Sequence, residues 1–138
     1  MITEVYYRTP QNDTASEQVQ RLRSGDLDRL MHILDTEAPF GASLHTVTAD
    51  LPDTAPAQEL VVGIHDGLGA LYYNDDHGSW YSTGPTPPET DGPVYADIDF
   101  PPRCEVPRAE LTAALGEFLA HGSRPTCITW QEDPHTDF

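Results

Sequence analysis

The sequence predicts an α+β domain, in which two amphipathic helices pack on a mostly antiparallel sheet. The first observation behind this prediction is a stretch, residues 59–84, with three short β-prone runs separated by Gly and Asp turn signals. The second is a pair of segments whose apolar residues recur with the helical period. The third is a set of further β-prone runs on either side of the central stretch.

The central stretch is predicted to form a three-stranded antiparallel meander from residues 60–64, 68–73 and 79–83. The first run is almost continuous Leu and Val, which is typical of a strand covered on both faces. The connections are short and rich in Asp and Gly, so consecutive strands should be neighbours in space.

Other strands are predicted at residues 2–8, 18–22, 44–48, 94–100 and 126–131. The run 94–100 alternates strictly, which predicts a single strand with one core face and one acidic face. The core face would hold Val94, Ala96, Ile98 and Phe100, and the other face Tyr95, Asp97 and Asp99.

Two helices are predicted from apolar stripes at helical spacing. The first follows a possible N-cap at Ser24 and has the stripe Leu27, Leu30, Met31 and Leu34. His32 lies off that stripe, so we expect it on the surface. The second helix starts near Pro107, ends before Gly122, and has the stripe Leu111, Ala114, Leu115, Phe118 and Leu119.

Length and composition predict one domain, residues 1–131, followed by an acidic tail at 132–138. The N-terminus lacks the charged and apolar regions of a signal peptide, and no run of 18 apolar residues occurs. We therefore expect a cytoplasmic protein without a membrane segment. Cys104 and Cys127 lack metal-ligand spacing, and in that compartment they should be reduced.

Charge is the strongest compositional signal. There are 23 acidic and 7 basic residues, a formal net charge of -16, and every basic residue is Arg. Residues 31–101 contain no Arg or Lys and twelve acidic residues. Such a surface repels nucleic acid and anionic membranes, and it attracts a basic protein partner. Surface acidity that serves only solubility, or that reflects a salty habitat, is the alternative left open.

No motif in the chain predicts catalysis. The sequence G-I-H-D-G-L-G is followed by no helical pattern, so its glycines are read as turn residues. His65-Asp66 and Asp75-Asp76-His77 could in principle hold a metal ion, but Asp and Gly at hairpin tips are ordinary turn chemistry. The pair Asp97 and Asp99 has no sign of a surrounding pocket. We predict no enzyme activity, no cofactor and no metal.

Two segments carry a family resemblance. They are G-L-G-A-L-Y-Y with its Asp-rich turn and W-Y-S-T-G, and, nearer the C-terminus, E-V-P-R-A-E-L-T-A-A-L-G-E-F-L-A-H-G-S-R-P-T-C-I-T-W-Q. Both resemble the first-numbered immunity-protein family of bacterial polymorphic toxin systems. The resemblance implies an antitoxin that binds and neutralises a cognate toxin domain. That family is particularly associated with nucleic acid deaminase toxins.

The sequence and the resemblance together suggest a stoichiometric inhibitor that occludes the active site or substrate cleft of a basic toxin. The chain itself would not bind nucleic acid, and would be a monomer or weak homodimer when free. The residues predicted to contact the toxin are Asp66, Tyr72, Asp75, Asp76, Tyr81, Asp97 and Asp99. If inhibition is by binding beside the active site, different loops, including the proline-rich loop 84–93, would make the contact instead.

Two other classes remain open at this point. The first is an acidic adaptor or regulator without a toxin partner, which would use the same face. The second is a small metal-binding enzyme, in which His65 or His77 would be needed to hold a divalent ion.

Overall fold

The computed structural model describes residues 2–9, 16–38, 41–47, 58–75, 77–84, 93–95 and 98–132. Within those residues the chain forms ten strands and two helices. In chain order they are β1 (Ile2–Thr9), β2 (Ser16–Leu22), α1 (Leu27–Thr36), β3 (Ala42–Val47), β4 (Glu59–His65), β5 (Leu68–Asp75), β6 (Gly78–Thr83), β7 (Val94–Tyr95), β8 (Ile98–Asp99), β9 (Val106–Pro107), α2 (Arg108–His121) and β10 (Thr129–Glu132).

The large sheet has the order β10-β6-β5-β4-β3-β1-β2, with β9 paired to the start of β5. Every pairing in it is antiparallel. The predicted meander is confirmed as β4, β5 and β6, with Val61 opposite Tyr72 and Tyr72 opposite Tyr81. The predicted α+β class with a mostly antiparallel sheet is therefore confirmed.

Both helices pack on the same face of the sheet. The apolar stripe of α2 is wholly buried, as its spacing predicts, and packs with Val62, Leu71 and Tyr73 of the meander. Helix α2 ends at Gly122, whose φ of 69° is left-handed and suits glycine. Burial of this stripe fixes the helix against the centre of the sheet.

Helix α1 begins later than predicted. Its N-cap is Asp26 rather than Ser24, and the Asp26 carboxylate accepts a hydrogen bond from the Arg23 backbone N–H at 2.8 Å. That bond closes a turn before the helix, which moves the helix start two residues along. His32 is exposed, as predicted.

A bidentate ion pair joins the two helices. Arg108 Nη1 and Nη2 donate to Asp35 Oδ1 and Oδ2 at 2.7 and 2.6 Å. Hydrogen bonding from Arg108 is the main cause that lowers the pKa of Asp35 below its ordinary 3.8. A carboxyl with a lowered folded-state pKa stabilises the fold above its unfolded pKa, and this contribution disappears as the pH falls through the folded-state pKa.

Asp35→Asn should therefore destabilise the protein at neutral pH and not at acidic pH. The side chains of Arg108 and Asp35 are 41% and 39% exposed, so the expected loss of unfolding free energy at pH 7 is about 0.5–1 kcal/mol. Urea denaturation of both proteins over a series of pH values should show this difference shrink below the ordinary pKa of 3.8 and vanish once the pH is below the lowered pKa of the folded state. Arg108→Gln should cost a similar amount, and the double variant no more than either. Full additivity would contradict the pairing.

The predicted single strand 94–100 is wrong. The chain forms a small hairpin instead, in which Val94 lies opposite Asp99 and Tyr95 opposite Ile98. The predicted faces also change, because Val94 is 58% exposed whereas Tyr95 is only 5% exposed. Alternation assigns a face only within a continuous strand, and the chain reverses between Tyr95 and Ile98.

The C-terminal strand is shorter at its start and longer at its end than predicted. It covers Thr129–Glu132 and pairs with β6. Beyond Glu132, the predicted acidic tail lies outside the described residues, as do residues 85–92 of the proline-rich loop. Cys104 is buried, Cys127 is exposed, and both are free thiols.

Candidate partner-binding face

The face of the sheet opposite the helices is half covered by its own chain. Residues 93–95 and 98–105, which we call the cover segment, pack over the meander there. The resulting second core lies between Tyr95, Phe100 and Cys104 of the cover segment and Val61, Ala70 and Tyr81 of the sheet. Both faces of β4 are thus covered, as its apolar composition predicts.

A row of aromatic rings lies beneath this cover. Tyr72 and Tyr81 have ring centroids 4.6 Å apart, and Tyr81 and Phe100 are 5.1 Å apart. Tyr81 is only 3% exposed, so its side chain belongs to the second core. Tyr72 is half-buried and is the accessible end of the row. Of the two tyrosines predicted to contact the toxin, only Tyr72 is accessible to solvent.

Ser82, in β6, and Gly84, directly after β6, attach the cover segment to the sheet. The Ser82 hydroxyl donates to the Cys104 carbonyl oxygen at 2.5 Å and accepts the Leu71 backbone N–H at 2.9 Å. The Gly84 N–H donates to the Arg103 carbonyl oxygen at 2.7 Å. Burial, followed by the charge of Glu105, raises the pKa of Tyr95 and of Cys104 to about 12, so both are neutral at physiological pH.

Next to Tyr72, on the same face, lies a hydrogen-bonded carboxylate that the sequence analysis did not identify. Glu59 Oε1 accepts from Asn74 Nδ2 at 2.8 Å, and Glu59 Oε2 accepts from the Ser43 hydroxyl at 2.9 Å. His45 Nε2 lies 3.4 Å from Glu59 Oε2. These contacts hold a half-buried carboxylate in a fixed orientation, which lowers the entropic cost of binding a cation there.

Only the strand register could have revealed that the Glu59 carboxylate lies between His45 and Asn74. His45 lies opposite Glu59 in the β3–β4 pairing, and Glu59 lies opposite Asn74 in the β4–β5 pairing. The three residues are far apart in the sequence and share no motif. Their contact follows from cross-strand pairing.

Ser43, His45 and Glu59 have the residue types of a hydrolase triad but not its geometry. Ser43 Oγ and Glu59 Oε2 both approach the same imidazole nitrogen, Nε2 of His45, at 2.9 and 3.4 Å. In a triad the acid instead binds the ring nitrogen opposite the nucleophile. Here the serine hydroxyl also donates directly to the carboxylate. The arrangement is a hydrogen-bonded polar network on a strand surface.

The predicted acidic residues of the meander do not form one cluster. Asp66 is at the β4–β5 turn, with a φ of 53°, and its carboxylate lies 3.0 Å from His65 Nε2. Asp75 is at the other end of β5, where it accepts from the Tyr73 hydroxyl at 3.0 Å and the His77 N–H at 2.8 Å. At the strand rise of about 3.3 Å per residue, about 23 Å separates the two ends.

That separation removes the basis for a metal site shared by the two turns. Among the described residues, no group of three or more His, Cys, Asp or Glu side chains could hold a metal ion. Of the other predicted contact residues, Asp99 lies in β8, while Asp76 and Asp97 lie outside the described residues.

Comparison with known families decides the class of the protein. The family model described as Immunity protein Imm1 matches residues 14–132. The chain belongs to the Imm1 immunity protein family. The match begins two residues before β2 and runs to the end of β10, so it includes the meander, the cover segment and both helices of this Imm1 protein.

Membership has a direct consequence for the partner. An immunity protein acts on a cognate toxin, so the surfaces of this Imm1 protein that matter are those that can contact another protein. No curated protein matches the chain. Within the described part of the chain, neither helix is long and apolar enough to cross a membrane.

Proposed function

We propose that this Imm1 protein neutralises a basic toxin that acts on nucleic acid, most specifically a nucleic acid deaminase, by binding it stoichiometrically and occluding its substrate cleft. The observation that carries the proposal is the charge distribution. Residues 30–138 hold eighteen acidic residues and three arginines. An enzyme that binds a polyanion needs a basic cleft, and an acidic rigid sheet is complementary to it.

The contact is proposed for the face formed by the meander and cover segment. Asp66, in the β4–β5 turn, and Glu59 are the carboxylates proposed for this face. Asp75 alternates with Tyr73 onto the helix side, so it would contact a toxin only from the end of β5. Asp76, Asp97 and Asp99 are proposed as contacts from the sequence alone. Asp66 has a side chain that is 84% exposed, which suits a charge that accelerates encounter. Tyr72, supported from beneath by Tyr81, supplies an aromatic anchor of the kind that slows dissociation.

The first test is co-expression with the toxin domain encoded immediately upstream. We expect growth to be restored, and a 1:1 complex to co-purify at low salt and weaken as salt is raised. A complex that is insensitive to salt would move the contact to apolar surface. Absence of both rescue and complex would reject the immunity proposal for that pair.

The reaction class is tested separately on the isolated toxin. Deamination of cytosine or adenine in a nucleic acid substrate, suppressed by one equivalent of this chain, is the expected result. A toxin that is inhibited but deaminates no base would overturn the deaminase assignment and leave the antitoxin role intact.

Matched charge reversals locate the contact. Asp66→Lys and Asp28→Lys change net charge equally, but Asp66 is at the proposed face and Asp28 is exposed on α1. We expect Asp66→Lys to slow association by about tenfold at low salt and Asp28→Lys to do much less. Equal effects would mean that only the overall charge matters. Tyr72→Ala should mainly raise the dissociation rate.

A further inference from the structure

Strand β2 is the last strand at one end of the large sheet, so its outer side is an edge of that sheet. One side of β2 pairs with β1 along seven residues, and among the described residues no strand pairs with the other side. Natural edge strands are usually protected by charged side chains, above all Lys, by Pro, by a bulge or by very short length. The sequence of β2, S-E-Q-V-Q-R-L, has neither Lys nor Pro, and its pairing with β1 is continuous. Its charged residues, Glu17 and Arg21, are opposite in sign, so they oppose an added strand only if that strand lacks complementary charges.

The residues of β2 are arranged symmetrically around Val19. Val19 is 47% exposed, one of two exposed large hydrophobic residues in the described part of the chain. Strand positions 17, 19 and 21 alternate onto the same face of the sheet, the one opposite the helices. Position 17 is Glu and position 21 is Arg, so opposite charges lie two residues on either side of Val19.

We propose that β2 pairs antiparallel with β2 of a second copy of this chain, about a two-fold axis at Val19. In that register Val19 faces Val19, Gln18 faces Gln20, and Glu17 faces Arg21 twice. The Nε of Arg21 already donates to Glu4 at 3.2 Å, and a guanidinium has further N–H donors for a second carboxylate.

The local charge favours a second copy over a basic partner at this edge. Residues 1–29, which include β1 and β2, hold five acidic residues and four arginines, so they are nearly neutral. The rest of the chain carries almost all of the net charge. Self-repulsion is therefore weakest here, because charges beyond about 8 Å are screened at physiological salt. A basic toxin would be attracted elsewhere.

An edge-only contact is small, so the dimer should be weak. The cross-strand charge pairs at β2 distinguish it from the toxin complex, because Arg21→Glu should weaken the dimer and leave the toxin complex intact.

Sedimentation over a range of protein concentrations tests the register. Arg21→Glu places Glu opposite Glu twice and should weaken the dimer at least about tenfold, and Glu17→Arg should do the same. Either the double variant E17R/R21E or an equimolar mixture of the two single variants should restore it. Arg23→Glu makes the same charge change just outside the strand and should have little effect.

Three results would overturn the proposal. They are a chain that stays monomeric at millimolar concentration, a dimer that Arg21→Glu leaves unchanged, and a dimer that the charge swap fails to restore. Growth protection against the toxin should be unaffected by Arg21→Glu. If that variant, still folded by circular dichroism, lost the toxin complex, the edge would be the toxin site and the assignment to a second copy would be wrong.

Discussion

Replacing Ser82 with Ala should lower the free energy of unfolding by about 2–4 kcal/mol. The Ser82 hydroxyl is fully buried and makes two bonds, accepting from the Leu71 N–H and donating to the Cys104 carbonyl. Alanine would leave both backbone groups buried without this partner, and each such group costs about 1–3 kcal/mol. The cover segment would also lose one of its attachments to the sheet.

The neighbouring residue offers a matched control. The Thr83 hydroxyl is buried and has no hydrogen-bond partner in the described part of the chain. Thr83→Val keeps the shape and removes the unsatisfied group, so it should be neutral or stabilising by up to about 1 kcal/mol. Thermal melts should separate the two variants by about 10 °C. Similar melting temperatures for both would show that the Ser82 bonds do not hold the cover segment.

Gly84→Ala should be at least as damaging, with an expected cost of about 3 kcal/mol or more. A methyl group at position 84 would overlap the carbonyl oxygen of Glu105, which is backbone and cannot rotate away. Gly84 also donates its N–H to the Arg103 carbonyl oxygen, and this bond holds the end of β6 close to the cover segment. The variant must either unfold or separate the cover segment from β6.

Two measurements distinguish those results. Urea denaturation gives the loss of global stability, and limited proteolysis near residues 101–105 shows whether the cover segment detaches while the sheet persists. Gly25→Ala is the control, because nothing lies within 4 Å of its added Cβ. We expect that control to be neutral or slightly stabilising. A Gly84→Ala protein as stable and protease-resistant as Gly25→Ala would contradict the close approach.

The sequence was sufficient for elements whose signal is local. The stripe of α2 repeats with the helical period and is bounded by Pro107 and Gly122, so both the helix and its buried face were predictable. The meander was predictable for the same reason, since Asp and Gly at its turns fix which strands are neighbours.

The cover segment was not predictable, because its conformation depends on a residue far away in the sequence. The ring of Tyr95 occupies the space above Gly63, where any Cβ would collide with it. This fit pulls Tyr95 inward and leaves Val94 outside, against the hydrophobic pattern. The alternation of polar and apolar residues in 94–100 contains no information about the space above Gly63, which lies on another strand.

The candidate site was only partly predictable for a similar reason. Tyr81 could be named as aromatic, but its burial follows from the cover segment. Glu59 was one acidic residue among many until the register placed it between His45 and Asn74. The number of acidic residues can be counted from the sequence, whereas the orientation of the Glu59 carboxylate depends on contacts from β3, β4 and β5 together.

Both tryptophans of the chain lie at the β6–β10 edge of the sheet. Trp80 packs under the Arg124 guanidinium, 4.1 Å from the ring centroid, and Trp130 donates its indole N–H to the Pro125 carbonyl at 2.7 Å. Intrinsic fluorescence of this protein therefore samples one edge of the molecule. Both rings pack against the core on the helix side of the sheet, so neither toxin docking on the opposite face nor strand pairing at β2 should shift the emission much. A large shift on toxin binding would instead indicate contact at the β6–β10 edge.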